Sequence, residues 1–269
     1  MNWEELSSDD FPQAVHDAQG VCLVPLSAVE RHGHHLPMGT DMLIGRELCC
    51  RTAALESVIV FPDVIFTQIL EARHVPGTIA LDADVIMRLL DNICREIARN
   101  GLKKIVLVSA HGGNHHFTRY FAQAQLGSTR DYVVYVADPI FTAETEAELA
   151  ALWDTSVDGH GGEKETSEIL AIRPDLARLD RAPIDGEGLP LDRLKALNDD
   201  GVYTGIWWYA DHPTHYRGDG RPATAEKGDR LLNARAQALA KIVAAIKQDE
   251  MTPKLHREFY AAGERPLAP

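Results

Sequence analysis

Four short apolar runs rich in β-branched residues, with stretches of helical spacing between them, predict an α/β fold built on a mostly parallel sheet with helices on both faces. The runs are residues 21–26, 57–66, 104–110 and 132–137. Parallel neighbours need a crossover long enough to hold a helix, and each gap between runs supplies one.

In chain order, "VCLVPL" is the first strand, and a helix follows Thr40 in "DMLIGRELCCRTAALE". The second strand is "SVIVFPDVIF", and the next helix, "ADVIMRLLDNICREIARNG", is closed by Gly101, a residue suited to helix C-termini. The third strand, "KIVLVSA", leads to a helix after Asn114, and "YVVYVA" is the fourth strand. Two further helices are predicted over 162–172, ended by Pro174, and over 224–248. Between 180 and 223 the periodicity gives way to glycine, proline and aromatics, including "GVYTGIWWYADHPTHYRGDGRP". That stretch resembles no flexible Gly/Ser linker and the chain holds no internal repeat, so residues 1–269 are expected to form one domain.

Composition narrows the function. The net charge of −13, from 27 basic and 40 acidic residues, would repel a phosphate backbone, which argues against a nucleic-acid partner. No run approaches the roughly 18 apolar residues of a membrane span. The start, "MNWEELSSDDFPQ", is acidic and polar rather than a secretory signal, so the cytoplasm is the expected compartment. Cys22, Cys49, Cys50 and Cys94 form no C-x-x-C pair and read as reduced structural residues.

Three histidine-bearing clusters carry the chemistry. Glu30 and His32 are two apart, so in an extended segment their side chains project the same way. Asp41 stands at the start of a helix, where a carboxylate either caps the backbone or bridges two cations with its two oxygens. "SAHGGNHH" puts His111 at the end of a strand, and "DGHGGEKETSEIL" carries His160, Glu163 and Glu165 at the mouth of a helix. Ligands in open α/β sheets collect at the carboxyl ends of the strands, where the first two clusters lie. Nitrogen and oxygen donors without thiolate suit a zinc, manganese or iron site. No G-x-G-x-x-G follows any predicted strand, which excludes the common dinucleotide-binding turn.

The blocks Glu30-x-His32-Gly33-x-His35-Leu36-Pro37-x-Gly39-Thr40-Asp41, "HVPGT", "HGGN", "HGGEKETS" and "PATAEKG", in that order from about residue 20 to 240, resemble the signature of the creatininase (creatinine amidohydrolase) family. The resemblance implies a three-layer α/β/α sandwich and two divalent metal ions per chain, zinc foremost, with manganese or iron as alternatives. It also implies a cytoplasmic homo-oligomer, often a hexamer, that cuts a linear or cyclic C–N amide bond of a small molecule with a metal-bridging hydroxide. Carried over by position, Glu30 and His111 serve one metal, His32 the other, and Asp41 bridges them. Creatininase proper has a glutamate where this chain has Gly113, so Glu165 is expected to complete the second site, with Glu163 as second choice. His160 is the expected proton shuttle, acting beside Glu165.

The Gly113 departure argues against creatinine as substrate and opens two alternatives, a formamide hydrolase or a peptide-trimming enzyme of cofactor biosynthesis. A sugar isomerase or epimerase would use a similar metal site, and a non-catalytic metal-binding scaffold would keep the same fold. The aromatic segment offers Trp207, Trp208 and His215 as substrate-binding residues, with a subunit contact as the other use of the same side chains. Gln68, Glu71 and Arg73 lie on a loop that reaches toward the site, His35 is expected to orient a ligand, and His34 to face solvent.

Overall fold

A computed structural model of the chain describes residues 1–183 and 186–267. Ile184 and Asp185, inside the irregular stretch, and Ala268 and Pro269 lie outside the described residues. The strands are β1 (Val21–Leu26), β2 (Ile59–Val60), β3 (Lys104–Ser109) and β4 (Val133–Ala137), in the spatial order β2-β1-β3-β4 with parallel neighbours throughout. β1 pairs with β3 along its whole length, from Val21 opposite Lys104 to Leu26 opposite Ser109.

The helices are α1 (Phe11–Asp17), α2 (Thr40–Leu55), α3 (Ala83–Arg99), α4 (Asn114–Ala124), α5 (Ala143–Ala150), α6 (Glu163–Ile172), α7 (Lys195–Asp199), α8 (Trp207–Asp211), α9 (Ala225–Gln248) and α10 (Met251–Glu264). Strand alternation sorts the core into two layers. Cys22, Val24 and Leu26 of β1, with Ile105 and Leu107 of β3, pack on α1, α3 and α4. Val21 and Leu23, with Val106 and Val108, pack on α2 and α9. Every residue of β1 is therefore buried, as a strand covered on both faces must be. The result is an α/β/α sandwich, with α6 laid outside α2 and α9 through Ile44, Ile169 and Leu232.

The predicted second strand is shorter than expected. Ladder pairing is confined to Ile59–Val60, and only an isolated bridge between Leu26 and Val64 continues it. Pro62 interrupts the run because it has no N–H to give to the ladder. α1, α5 and α10 are additions that the periodicity did not mark. The irregular stretch contains the short helices α7 and α8. No helix among the described residues is long and apolar enough to cross a membrane.

One feature of this topology places the site. β1 leads through α2 to β2 on one side, whereas β3 leads through α4 to β4 on the other. The loops after β1 and β3 diverge, which opens a crevice at the carboxyl ends of the two central strands.

Candidate metal centre

The loop after β1 delivers Glu30 and His32 into that crevice, the first turn of α2 delivers Asp41, the turn after β3 delivers His111, and the entry to α6 delivers His160 and Glu165. All but Glu165 are buried, and Glu165 is partly exposed. Asp41 is not a helix cap: the residue at the N-cap is Gly39, and one Asp41 oxygen instead accepts from the Ala28 amide at 3.4 Å.

The two oxygens of Asp41 face different histidines. Oδ1 is 2.8 Å from His32 Nε2, and Oδ2 is 3.3 Å from His111 Nδ1. His32 Nε2 also lies 3.7 Å from Glu165 Oε2, and His111 Nδ1 lies 2.5 Å from Glu30 Oε1. Two clusters result, Glu30/Asp41/His111 and His32/His160/Glu165, each with donor atoms within 4.8 Å of one another, and Asp41 Oδ1 beside His32 links them. Donors about 2.0–2.1 Å from one tetrahedral zinc stand roughly 3.3 Å apart, a spacing that the contacts of Asp41 with His32 and His111 approach.

The donor chemistry fits a cation as well. His32 Nδ1 faces the Glu30 carbonyl at 3.3 Å and donates to it, so in the neutral ring the lone pair is on Nε2. That buried Nε2 has no hydrogen-bond partner among the described residues, yet it points at two carboxylates. Lone pairs so placed repel unless a proton or a metal ion lies between them. Burial alone would lower the His32 pKa, but Asp41 and Glu165 outweigh it and raise it to about 10. Burial raises Glu165 to about 7, with Asp41 adding to the effect. Glu30 resists the upward pull of burial because His111 and His160, together with bonds from His111 and His215, hold it well below the usual carboxylate range.

His160 is different in kind. Its Nε2 donates to the Arg31 carbonyl at 2.7 Å, so Nδ1 carries the lone pair. Burial, then the neighbouring His32, push its pKa well below the ordinary value, and the ring is neutral near pH 7. Its plane lies against His32, with ring centroids 4.2 Å apart.

Glu163 is turned away from the centre. Its carboxylate accepts from the amides of Asp154 and Thr155, from the Thr155 hydroxyl and from Lys227, which consumes its acceptor capacity. Of the two candidates, Glu165 is the one that faces His32, and the Gly161 amide orients it by donating to Oε2 at 2.6 Å. His35 lies beside it, its Nε2 bonded to Thr166 Oγ1 at 2.9 Å. His34 is exposed and touches Arg31.

Residues 4–243 match the creatininase family, described as creatinine amidohydrolase. The chain belongs to the creatininase family. It is 30% identical over 194 residues to the creatinine amidohydrolase of Pseudomonas putida, which covers 66% of this chain and 74% of that one. Over 220 residues it is 29% identical to the mycofactocin precursor peptide peptidase of Mycobacterium ulcerans, covering 78% and 79% of the two chains. Among solved structures, a Bacteroides fragilis protein assigned as a creatinine amidohydrolase superposes with a TM-score of 0.77 at 23% identity, over 93% of this chain and 98% of that one. Creatininase with Mn superposes at 0.74 and 24% identity, over 92% and 99%, and a variant of Zn-Zn type at 0.72 and 23%, over 92% and 98%. At these identities the superpositions establish the sandwich.

Within this creatininase-family fold two hollows meet over Gly112 and His115. One, of about 420 Å³, reaches His111 and Glu165. The other, of about 1000 Å³, is walled by Glu71, Arg73, Phe117, Tyr203, Trp207 and Tyr209. Of the three aromatic-segment residues expected to bind substrate, only Trp207 lines this cleft. Consecutive residues on a helix point about 100° apart, so Trp208 faces inward where Trp207 faces out. His215 is 2% exposed and bonded through Nε2 to Glu30 Oε2, away from the cleft. Its contact with Glu30 spans 185 residues of sequence, and no local pattern announces it. Glu71 does reach the site: its Oε1 lies 3.9 Å from His111 Nε2 and Gln68 donates to its other oxygen. It occupies space that is free because position 113 is glycine, where a Cβ would collide with both Glu71 Oε1 and His111 Nε2.

Proposed function

We propose that the chain is a dinuclear metal-dependent amidohydrolase that cleaves a non-peptide C–N amide bond of a small molecule larger than creatinine. The observation that supports this best is the divided Asp41 carboxylate, one oxygen toward His32, which also faces Glu165, and the other toward His111, which also faces Glu30. A carboxylate so divided suits a bridge between two cations, and the flanking residues complete a separate donor set on each side. Zinc fits the donors best, with manganese or iron as the alternatives.

When bound, such a pair of ions makes water acidic enough to attack near neutral pH and polarises the amide carbonyl. The chain's own residues do the rest. Neutral His160 offers its Nδ1 lone pair to the proton of the attacking water, while the Arg31 carbonyl fixes the ring through Nε2. The imidazolium then returns that proton to the leaving nitrogen, because an amide anion is too basic to depart unprotonated. The nearby Glu30 carboxylate, 3.7 Å from His160 Nε2, stabilises the transient charge.

The cleft argues for a sizeable substrate, since about 1000 Å³ is the upper range for drug-sized ligands and far exceeds one five-membered ring. Trimming of a peptide end is the second reading, favoured by the openness of that cleft and by the match to a peptide peptidase. A mass-spectrometric screen of metal-reconstituted protein against lactams, cyclic ureas, N-formyl compounds and short peptides tests both. Hydrolysis of a small amide supports the first reading, and cleavage of peptides alone replaces it with the second. Efficient turnover of creatinine would sink the size argument, and isomerisation of ketoses without amide cleavage would sink the reaction class. Assembly as a cytoplasmic homo-oligomer, with a hexamer expected, is part of the same reading and is checked by light scattering in solution.

A further inference from the structure

His215 is the buried histidine of the centre that the chemistry above does not use, and its surroundings are unusually constrained. Its backbone has φ of 56°, a left-handed conformation uncommon outside glycine, and such geometry persists only where neighbouring contacts enforce it. Two contacts do so. Trp208 Nε1 donates to His215 Nδ1 at 2.7 Å, and His215 Nε2 meets Glu30 Oε2.

The direction of the first bond decides the second. An indole N–H can only donate, so Nδ1 of His215 must carry the lone pair, and in the neutral ring the proton sits on Nε2. That proton is donated to Glu30. Glu30 Oε2 is thereby occupied, and the buried Oε1 is the oxygen left facing His111.

The tautomer has another consequence. Donor atoms of Glu30, His160 and His215 lie within 4.8 Å of one another, close enough to form a third metal-binding triad. A neutral imidazole that carries its proton on Nε2 cannot ligate through that atom. Release of Nε2 would require Nδ1 to take the proton and point it at the Trp208 N–H, donor against donor.

We propose that His215 is a positioning residue for the metal ligand Glu30, and that Trp208 holds it there by fixing its tautomer, which excludes His215 itself from the cation shell. α8 then has two duties: Trp207 and Tyr209 wall the cleft, while Trp208 ties the same helix to the metal centre. This inference rests on the proposed cation centre, but it makes a claim that can fail separately.

The test combines two measurements on His215→Ala, His215→Gln and Trp208→Phe. The first is ¹⁵N NMR of the histidine rings in metal-free protein, which reports the tautomer without any activity. Wild type is expected to show Nε2–H at His215, and Trp208→Phe a mixture of tautomers. The second is zinc affinity by competition with a chromophoric chelator, because loss of a group that orients a ligand weakens metal binding about 10- to 100-fold. His215→Ala is expected to lose affinity on that scale for one of two zinc ions. His215→Gln, whose amide N–H can replace the Nε2 donor, is expected to recover most of it. An Nδ1–H tautomer in wild type, unchanged affinity in His215→Ala, or loss of a whole zinc ion that Gln does not restore would each overturn the proposal. If His215→Ala fails to fold, the Gln and Phe variants still decide it. A wild-type protein that binds no zinc, manganese or iron would overturn the cation centre instead.

Discussion

At the scale of single residues the centre is a problem of buried charge. Glu30, Asp41 and Glu165 are brought together with His32 and His111 where water is largely excluded, and carboxylates so crowded are costly unless a cation neutralises them. Asp41 is the test of how many cations do so. Asp41→Ala removes the carboxylate that lies against both His32 and His111, so metal content should fall at both positions by elemental analysis. A structural role alone would cost about 1 kcal/mol and leave the metal in place. His160 and Glu165 separate by a different readout. Glu165→Ala should lose about one metal equivalent along with activity. His160→Ala should keep both and lower kcat by roughly 10² to 10⁴, with a smaller loss for substrates whose leaving group needs little protonation. Metal loss in His160→Ala with full retention in Glu165→Ala would reverse the two assignments. Glu30, His32, Asp41, His111, His160 and Glu165 were legible in the sequence because each sits in a short block at the end of a predicted strand or the start of a predicted helix. The partner role of His215 was not, because it depends on a fold that brings residues 30 and 215 together.

At the scale of elements, the legible parts were those whose burial repeats with a period. α3 buries Ile86, Leu90, Cys94 and Ile97, and α9 buries Leu232, Ala236, Leu239, Val243 and Ile246, each a stripe of threes and fours. α5 and α10 bury little, Leu149 in the first and nothing in the second, so their sequences carry no such stripe. The second strand was overextended because β-propensity runs on through Pro62 while the ladder cannot. The least visible element property is the close approach of α9 to α6. Gly228 sits where a Cβ would collide with the Ser167 backbone carbonyl, two residues from Glu165. Gly228→Ala should therefore push the helices apart. We expect a loss of about 1–3 kcal/mol in denaturant unfolding, together with weaker metal binding, since α6 carries Glu165. A stability loss with unchanged metal affinity would show that α6 moves as a unit without disturbing the centre.

At the scale of the whole molecule, the centre and the core share their supports. α2 carries Asp41 at its first turn and buries Leu48 and Cys49 against the sheet, and β1 and β3 form the middle of the sheet before releasing the loops of Glu30, His32 and His111. The donors come from separate segments, so the assembled site exists only in the folded chain, and cations that bind it stabilise the fold by mass action. At a free zinc concentration a thousandfold above the dissociation constant, one ion contributes about 4 kcal/mol. For a chain of this size each kcal/mol shifts the midpoint by about 2–4 °C. Chelation should therefore lower the calorimetric midpoint by on the order of 10 °C, and zinc should restore it. Because the same helices and strands build the two core layers and the centre, the chain should unfold in one transition with or without metal. A second transition that alone responds to zinc would mean that the centre folds apart from the sandwich. A midpoint indifferent to chelator would mean that the carboxylates are neutralised by protons rather than metal.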